Sequence, residues 1–240
     1  MKNTIPAIAF LFAFAALAPA ADPSPRMQMH EVMYLTPESK RLDKLKELIR
    51  RGGDINVPIA FDRMLNAGED PSTLKPTAWA LDEAVQQARE VLVTVLLANG
   101  AKLHGGELAK AAHAGSQEVS GTMVAALLLA GADVNSRYDS FTALFWASSR
   151  GNKDSVKLLL AQPGIKLDLI NNDGDTALMT AVEHTNAEIV EMLVKAGANV
   201  SVTNKHGETA PSLAQKELKK QQSRLERQQG IISTLRSPPK

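Results

Sequence analysis

The sequence predicts an all-α fold in which two-helix units stack side by side, and three observations lead there. An aliphatic residue is followed seven positions later by Gly, or once by Pro, in five places: Leu45/Gly52, Val93/Gly100, Val124/Gly131, Val156/Pro163 and Val190/Gly197. Further apolar residues lie between the members of each pair, such as Leu96 and Leu97 or Leu159 and Leu160, which is helical spacing ending in a helix stop. A Leu and an Ala three apart precede this pattern at Leu81/Ala84, Leu108/Ala111, Leu144/Ala147 and Leu178/Ala181, and the small alanine lets a neighbouring helix approach. The Ala-to-aliphatic distance is nine residues at Ala84/Val93, Ala147/Val156 and Ala181/Val190, which leaves room for a tight turn between two antiparallel helices.

Taken from the N-terminus, residues 1–20 (MKNTIPAIAFLFAFAALAPA) place Lys2 before an uncharged apolar run from Ile5 to Ala18. That order is a secretory signal pattern. The run is 14 residues long, short of the roughly 20 that span a bilayer. Ala18 and Ala20 provide the small side chains that a signal peptidase needs, so cleavage is expected between Ala20 and Ala21, giving a periplasmic or secreted product with no stable membrane span. An atypical first unit is expected over 24–57, where LDKLKELIRRGGDINV supplies a second helix and turn. The Gly52-to-Leu81 interval is 29 residues, so 57–76 hold an inserted loop. Its Ile59, Phe61, Met64 and Leu65 are too apolar for a passive linker; the loop either folds back over the first unit or reaches a partner.

The strings SFTALFWASSRGNKDSVKLLLAQPG, GDTALMTAVEHTNAEIVEMLVKAGANV and VAALLLAGADVN closely resemble the ankyrin repeat. The resemblance implies L-shaped units, each two helices followed by an outward hairpin finger, stacked into a curved solenoid. A hairpin of this kind cannot bury its apolar face alone, so stability comes from neighbours. Repeats are expected at about 77–104, 105–137, 138–170 and 171–203, with a polar capping unit at 204–232 and a tail at 233–240. Only 8 residues separate Gly100 from Leu108, against 13 from Gly131 to Leu144, so that finger is truncated. Four extra residues between Gly115 and Val124 add about one helical turn, and Val119 could still face the core. In the last unit Ser223, Glu226 and Arg227 stand where earlier units carry aliphatic residues, so its outer helix is expected to be polar. Residues 211–240 are strongly basic without an evident aromatic or aliphatic stripe, which reads as a solvated cap, or as a lure for an acidic partner or anionic lipid.

Composition narrows the chemistry. The 240 residues carry 27 Lys+Arg against 26 Asp+Glu, and that balance gives no reason to expect nucleic acid as a partner. Apolar content of 44% supports a core, while zero cysteines exclude disulfides, thiolate metal sites and cysteine nucleophiles. GxSxG, GxxxxGK[ST] and HExxH motifs are lacking, and His30, His104, His113, His184 and His206 are scattered rather than set at helical spacing. Asn172-Asp173-Gly174-Asp175 has part of a calcium-loop composition but lacks the later bidentate Glu, and fits a hairpin turn. No cofactor, metal or catalytic residue is expected.

The remaining use of such a surface is to bind another protein. The resemblance places contacts on finger tips and inner helices, which map here to Tyr138, Asp139, Phe141, Asn172, Asp173, Lys205 and His206, and to Gln86, Gln87, His113, Arg150, Glu183 and His184. Tyr138, Phe141 and Arg150 are the preferred anchors, because Tyr and Arg are enriched at interface hot spots and an exposed Phe needs cover. For each, packing against the adjacent finger is the competing role. Trp146 is expected in the core. The function expected is a non-enzymatic exported scaffold, monomeric when free, that grips a protein through its concave face. Its specific versions are an inhibitor or immunity protein against a toxin, and an accessory factor for an envelope enzyme; an enzyme with an unrecognised site is the remote rival.

Overall fold

The computed structural model describes Met29, residues 31–61 and residues 76–236. The chain forms two compact units. In the first, a π-helical turn Glu31–Leu35 precedes helix α1, Glu38–Arg50. Leu45 and Leu48 are buried in it, as their spacing requires, and the chain leaves α1 through Gly52 at φ 78°. Strand β1, Pro58–Phe61, pairs antiparallel with β2, Pro76–Trp79, so the two ends of the predicted insertion are clamped together by a ladder. The middle of that insertion, with Met64 and Leu65, lies outside the described residues, as do the signal segment and the Ala20/Ala21 junction.

Helix α2, Ala80–Gln86, is followed by the second unit's stack: α3, Glu90–Ala98; α4, Glu107–His113; α5, Gln117–Leu129; α6, Ala143–Arg150; α7, Lys153–Leu160; α8, Ala177–Glu183; α9, Ala187–Lys195; and α10, Ala210–Arg236. Inner helices α4, α6, α8 and α10 pack in succession, and outer helices α3, α5, α7 and α9 form a parallel row. This is the hairpin stack the spacing predicts. Leu108, Leu144 and Leu178 are at most 2% exposed, and Ala111, Ala147 and Ala181 are fully buried. Helix α5 has 13 residues where α7 has 8, so the four extra residues make a taller hairpin, with Val119 half-buried.

Helix N-termini are capped by the residue that precedes them, and side-chain amides reach from one unit to the next. Thr142 and Thr176 cap α6 and α8 by accepting the N–H of Phe145 (3.2 Å) and Met179 (3.3 Å). Asn152 caps α7 by accepting the Ser155 N–H, and its Nδ2 donates 3.0 Å back to the Gln117 carbonyl of the preceding unit. Gln117 Nε2 in turn donates to the carbonyls of Arg150 and Gly151, each at 3.2 Å. Asn186 Nδ2 donates 2.7 Å to the Ser148 carbonyl. One amide therefore serves two units, which turns apolar stacking into a fixed register.

The last unit departs from the expected two-helix form. Helix α10 runs unbroken for 27 residues, about 40 Å at 1.5 Å per residue. Earlier inner helices end at a left-handed residue, Gly115, Gly151 or Thr185, four positions after Ala111, Ala147 and Ala181. Four positions after Ala214 stands Leu218, within a run of good helix formers, so nothing stops the helix. Ala210 and Leu213 are buried, but Leu218, Leu225, Ile231, Ile232 and Leu235 are exposed. An aliphatic stripe thus does accompany the basic residues. Among the described residues no outer helix follows α9, and one of its sides stays open: Val190, predicted as core, is only half-buried, while Ile189 and Leu193 are buried.

The finger of strands β3, Arg137–Tyr138, and β4, Phe141–Thr142, turns through Asp139 (φ 48°) and Ser140 (φ 73°), the type I′ geometry of tight hairpins. The equivalent of Ser140 in the next two fingers is Gly174 (φ 84°) or Gly207 (φ 75°), counted from Thr142, Thr176 and Thr209. Ser140→Gly is therefore expected to stabilise the fold by about 0.5–1 kcal/mol, the left-handed strain of roughly 1–2 kcal/mol less the entropy that Gly loses. At Gly174 an added Cβ would meet Asn204 Cα and Lys205 N at 3.0 Å, so Gly174→Ala should cost about 1–3 kcal/mol. Urea midpoints of the two variants should move in opposite directions; equal shifts would rule out this reading of the fingers.

Candidate protein-binding surface

The surface is built from finger tips and the exposed ends of inner helices. Each finger is tied before its tip is offered. Asn171 Oδ1 accepts the N–H groups of Asp173 and Asp175, both at 2.8 Å, and Asn204 Oδ1 does the same for His206 (3.0 Å) and Glu208 (2.9 Å). Neighbouring fingers are joined: Asn204 Nδ2 donates to Asp175 Oδ1 at 2.8 Å, and the Lys205 N–H donates to the Asp173 carbonyl at 2.9 Å. Arg137 Nη1 donates to the carbonyls of Ser140 and Ile170, each at 2.7 Å. The backbone is thereby fixed while Asp139, Asn172, Asp173, Lys205 and His206 remain exposed.

The three preferred anchors separate. Phe141 is half-buried, 4.8 Å from the rings of both Phe145 and Trp146, and supports the finger from beneath. Tyr138 is half-buried too, with the Lys110 ammonium 5.1 Å from its ring centroid. It lies beside the truncated finger, where a Cβ on Gly106 would be 3.6 Å from the Tyr138 Cβ. Arg150 stays exposed. Trp146, expected in the core, is instead half-buried, because the buried arc of α6 runs through Leu144, Phe145, Ala147 and Ser148. Its ring meets His113 at 4.2 Å, so an aromatic ledge of His113, Trp146 and Phe141 underlies the β3–β4 finger. Sequence reasoning missed Lys110 and Arg137 at this surface; the lysine's only signal was its placement on α4, one helical turn before His113.

On α8, His184 donates Nδ1–H to the Thr180 carbonyl at 2.9 Å, which fixes the tautomer and leaves Nε2 3.4 Å from Ser149 Oγ. Glu183 and His184 are both exposed. Partial desolvation, reinforced by Asp175, holds the Glu183 carboxyl above its ordinary range, and His184 opposes that shift. Gln86 and Gln87 are exposed, Gln87 Oε1 accepting from Arg89 Nε at 2.6 Å. The assembled surface alternates sign over short distances: Lys110 and Arg150, then Asp173 and Glu183, then Lys205.

The repeating hairpins and fingers define a repeat-scaffold class, and the comparisons name it. The family model for ankyrin repeats matches residues 108–204 in three copies. Human B-cell lymphoma 3 protein is 39% identical over 79 residues, 32% of this chain and 17% of that protein. The ANK repeat-containing protein nipk-1 of Caenorhabditis elegans is 36% identical over 91 residues, 32% of this chain and 15% of that protein. The intracellular phospholipase A2 of the same organism is 26% identical over 135 residues, 54% of this chain and 13% of that protein. This chain spans only 13–17% of the length of these relatives. It is an ankyrin-repeat protein.

Burial against Trp146, and secondarily the Arg150 charge, lowers the His113 pKa from its ordinary 6.5. The folded state thus prefers neutral His113, so its contribution to stability is complete above pH 6.5 and declines as pH falls through the window below. An NMR titration should find the His113 ring titrating below 6.5, and Arg150→Ala should raise that value without restoring it, since burial is the larger cause. A midpoint at or above 6.5 that ignores the substitution would contradict this arrangement.

Proposed function

We propose that this chain is an exported, non-catalytic scaffold that binds another protein through the face formed by its fingers and inner helices. Ankyrin repeats generally mediate protein–protein interaction, and family members are typically non-catalytic. The observation that carries the reading is the pairing of tethered backbone with free side chains. Asp139, Asn172, Asp173, Lys205 and His206 are exposed on turns whose backbones are already hydrogen-bonded, so a partner meets a preorganised surface and the ordering cost of binding is small. A footprint over three or four units reaches the roughly 1,200–2,000 Å² of a specific complex.

Export rests on the Lys2-to-Ala20 signal pattern, and the mature chain would begin at Ala21 in the periplasm or outside the cell. Among the described residues no helix is long and apolar enough to cross a membrane. The free protein is a monomer in this reading. A toxin-neutralising inhibitor should abolish its partner's activity in vitro, whereas an accessory factor should preserve or raise it.

Capture with mature protein from envelope extract should retain a partner that is lost from a variant carrying Asp139→Ala, Asp173→Ala, Arg150→Ala and Lys205→Ala. Hot-spot losses of about 2 kcal/mol or more would weaken binding at least roughly thirtyfold. These side chains are exposed, so melting should move by no more than a few degrees. Phe141 is left intact because it supports Trp146. Undiminished capture by this variant would reject the placement of the interface.

A further inference from the structure

We propose that the distal part of helix α10 is an interfacial segment that lays its aliphatic stripe on an anionic lipid surface. The helix leaves the stack after its first turns: Ala210 and Leu213 are buried, whereas Leu218, Leu225, Ile231, Ile232 and Leu235 are between 49% and 76% exposed. From Leu218 to Arg236 this is about 28 Å of helix. Leu218, Leu225 and Ile232 are seven apart and stand above one another every two turns, while Ile231 and Leu235 widen the same side. Single exposed aliphatic residues are ordinary on a protein surface, but five along one side of one helix form a continuous stripe.

The charge on the rest of the helix selects what covers that stripe. Helix α10 carries Lys216, Lys219, Lys220, Arg224, Arg227 and Arg236 against Glu217 and Glu226. Lys216 pairs with Glu208 and Lys220 with Glu217, which leaves Lys219, Arg224, Arg227 and Arg236 without an ion pair among the described residues. By helical register Lys216, Lys219, Lys220 and Arg227 fall on the side opposite the stripe. Arg224 and Arg236 border it, where a long stem can lie along apolar neighbours while its charge reaches a headgroup. An apolar side with cations opposite and beside it is the arrangement of helices that lie in the plane of a membrane interface and are drawn there by acidic lipid. The helix lies on the bilayer without crossing it, since no helix among the described residues is long and apolar enough to span. A second copy of α10 fits the stripe less well. A two-helix seam built on Leu218, Leu225 and Ile232 would bring in Gln221 and Gln228 before it reached Leu235. The flanking Gln222, Arg224 and Gln229 offer an identical helix no opposite charge, and Glu217 is taken by Lys220.

This inference uses neither the fingers nor their neighbouring inner-helix surface, so it stands or falls apart from the protein-binding reading. The test is co-sedimentation of the mature chain, Ala21 to Lys240, with vesicles of equal parts phosphatidylglycerol and phosphatidylcholine, and with phosphatidylcholine alone, across a range of sodium chloride. Saturable binding to the anionic vesicles is expected, at least about tenfold weaker on phosphatidylcholine and falling as salt is raised. Leu225→Gln combined with Ile232→Gln should weaken anionic binding at least about tenfold at every salt concentration. Both positions are exposed and Gln is a good helix former, so this variant should melt with the parent. Arg224→Gln combined with Arg227→Gln should flatten the salt dependence, while Lys at the same two positions should retain binding, because lipid attraction needs the charge and not the guanidinium fork. Absence of binding to anionic vesicles at low salt, equal binding to phosphatidylcholine, or undiminished binding by the Leu225/Ile232 variant would overturn the proposal. So would lipid-free self-association in sedimentation velocity that the same variant abolishes, which would give the stripe to a second copy. None of these outcomes bears on the capture experiment, which tests the finger surface on its own.

Discussion

The constraint on which the stack depends is that a two-helix hairpin has two apolar sides and no interior of its own. Leu144 and Ala147 of α6 are buried because α4 and α8 lie on either side, and Leu178 of α8 because α6 and α10 do. Fully burying a leucine is worth about 1.5–3 kcal/mol, and each repeat contributes several such side chains to shared interfaces. Cooperativity is then a matter of neighbours. It also explains the partial exposure at the end of the outer row: among the described outer helices α9 has α7 on one side alone, and Val190 loses cover while Leu193 keeps it.

Apolar contact alone would permit repeats to slide. The Asn152 and Gln117 amides, the Asn186 amide and the Asn204–Asp175 pair each bond across a junction, and their direction requires one register. The same bonds fix the turns from which exposed side chains project. Structural and functional demands thus meet in the same short segments, and the Phe141–Trp146–His113 ledge is where they compete: aromatic area that could have been offered to a partner instead supports the β3–β4 finger.

Much of this was legible in the chain. Spacing located the hairpins because a helix buries every third or fourth residue, and Leu45, Val93, Val124 and Val156 are all fully buried. Less legible were features set by absence or by a neighbour. The missing turn at Leu218 shows only when compared with Gly115, Gly151 and Thr185, and the exposed stripe of α10 was masked by the Lys, Arg and Gln residues between its members. Burial of Trp146 depends on which arc of α6 faces the stack, a rotation that the Leu144/Ala147 spacing brackets without fixing. The partial burial of Tyr138 depends on the truncated finger beside it. Where the exposed tips lie was readable from register, but which of them a partner selects depends on that partner's shape.

The most direct test of the nearest-neighbour account is residue-resolved hydrogen exchange on the free protein. Amides of α6, α7 and α8, which have neighbours on both sides, should share the highest protection, α9 should exchange faster, and α10 beyond Leu218 should be close to unprotected. A distal α10 as well protected as α6 in a monomeric sample, or protection in α6–α8 lower than in α9, would contradict the account.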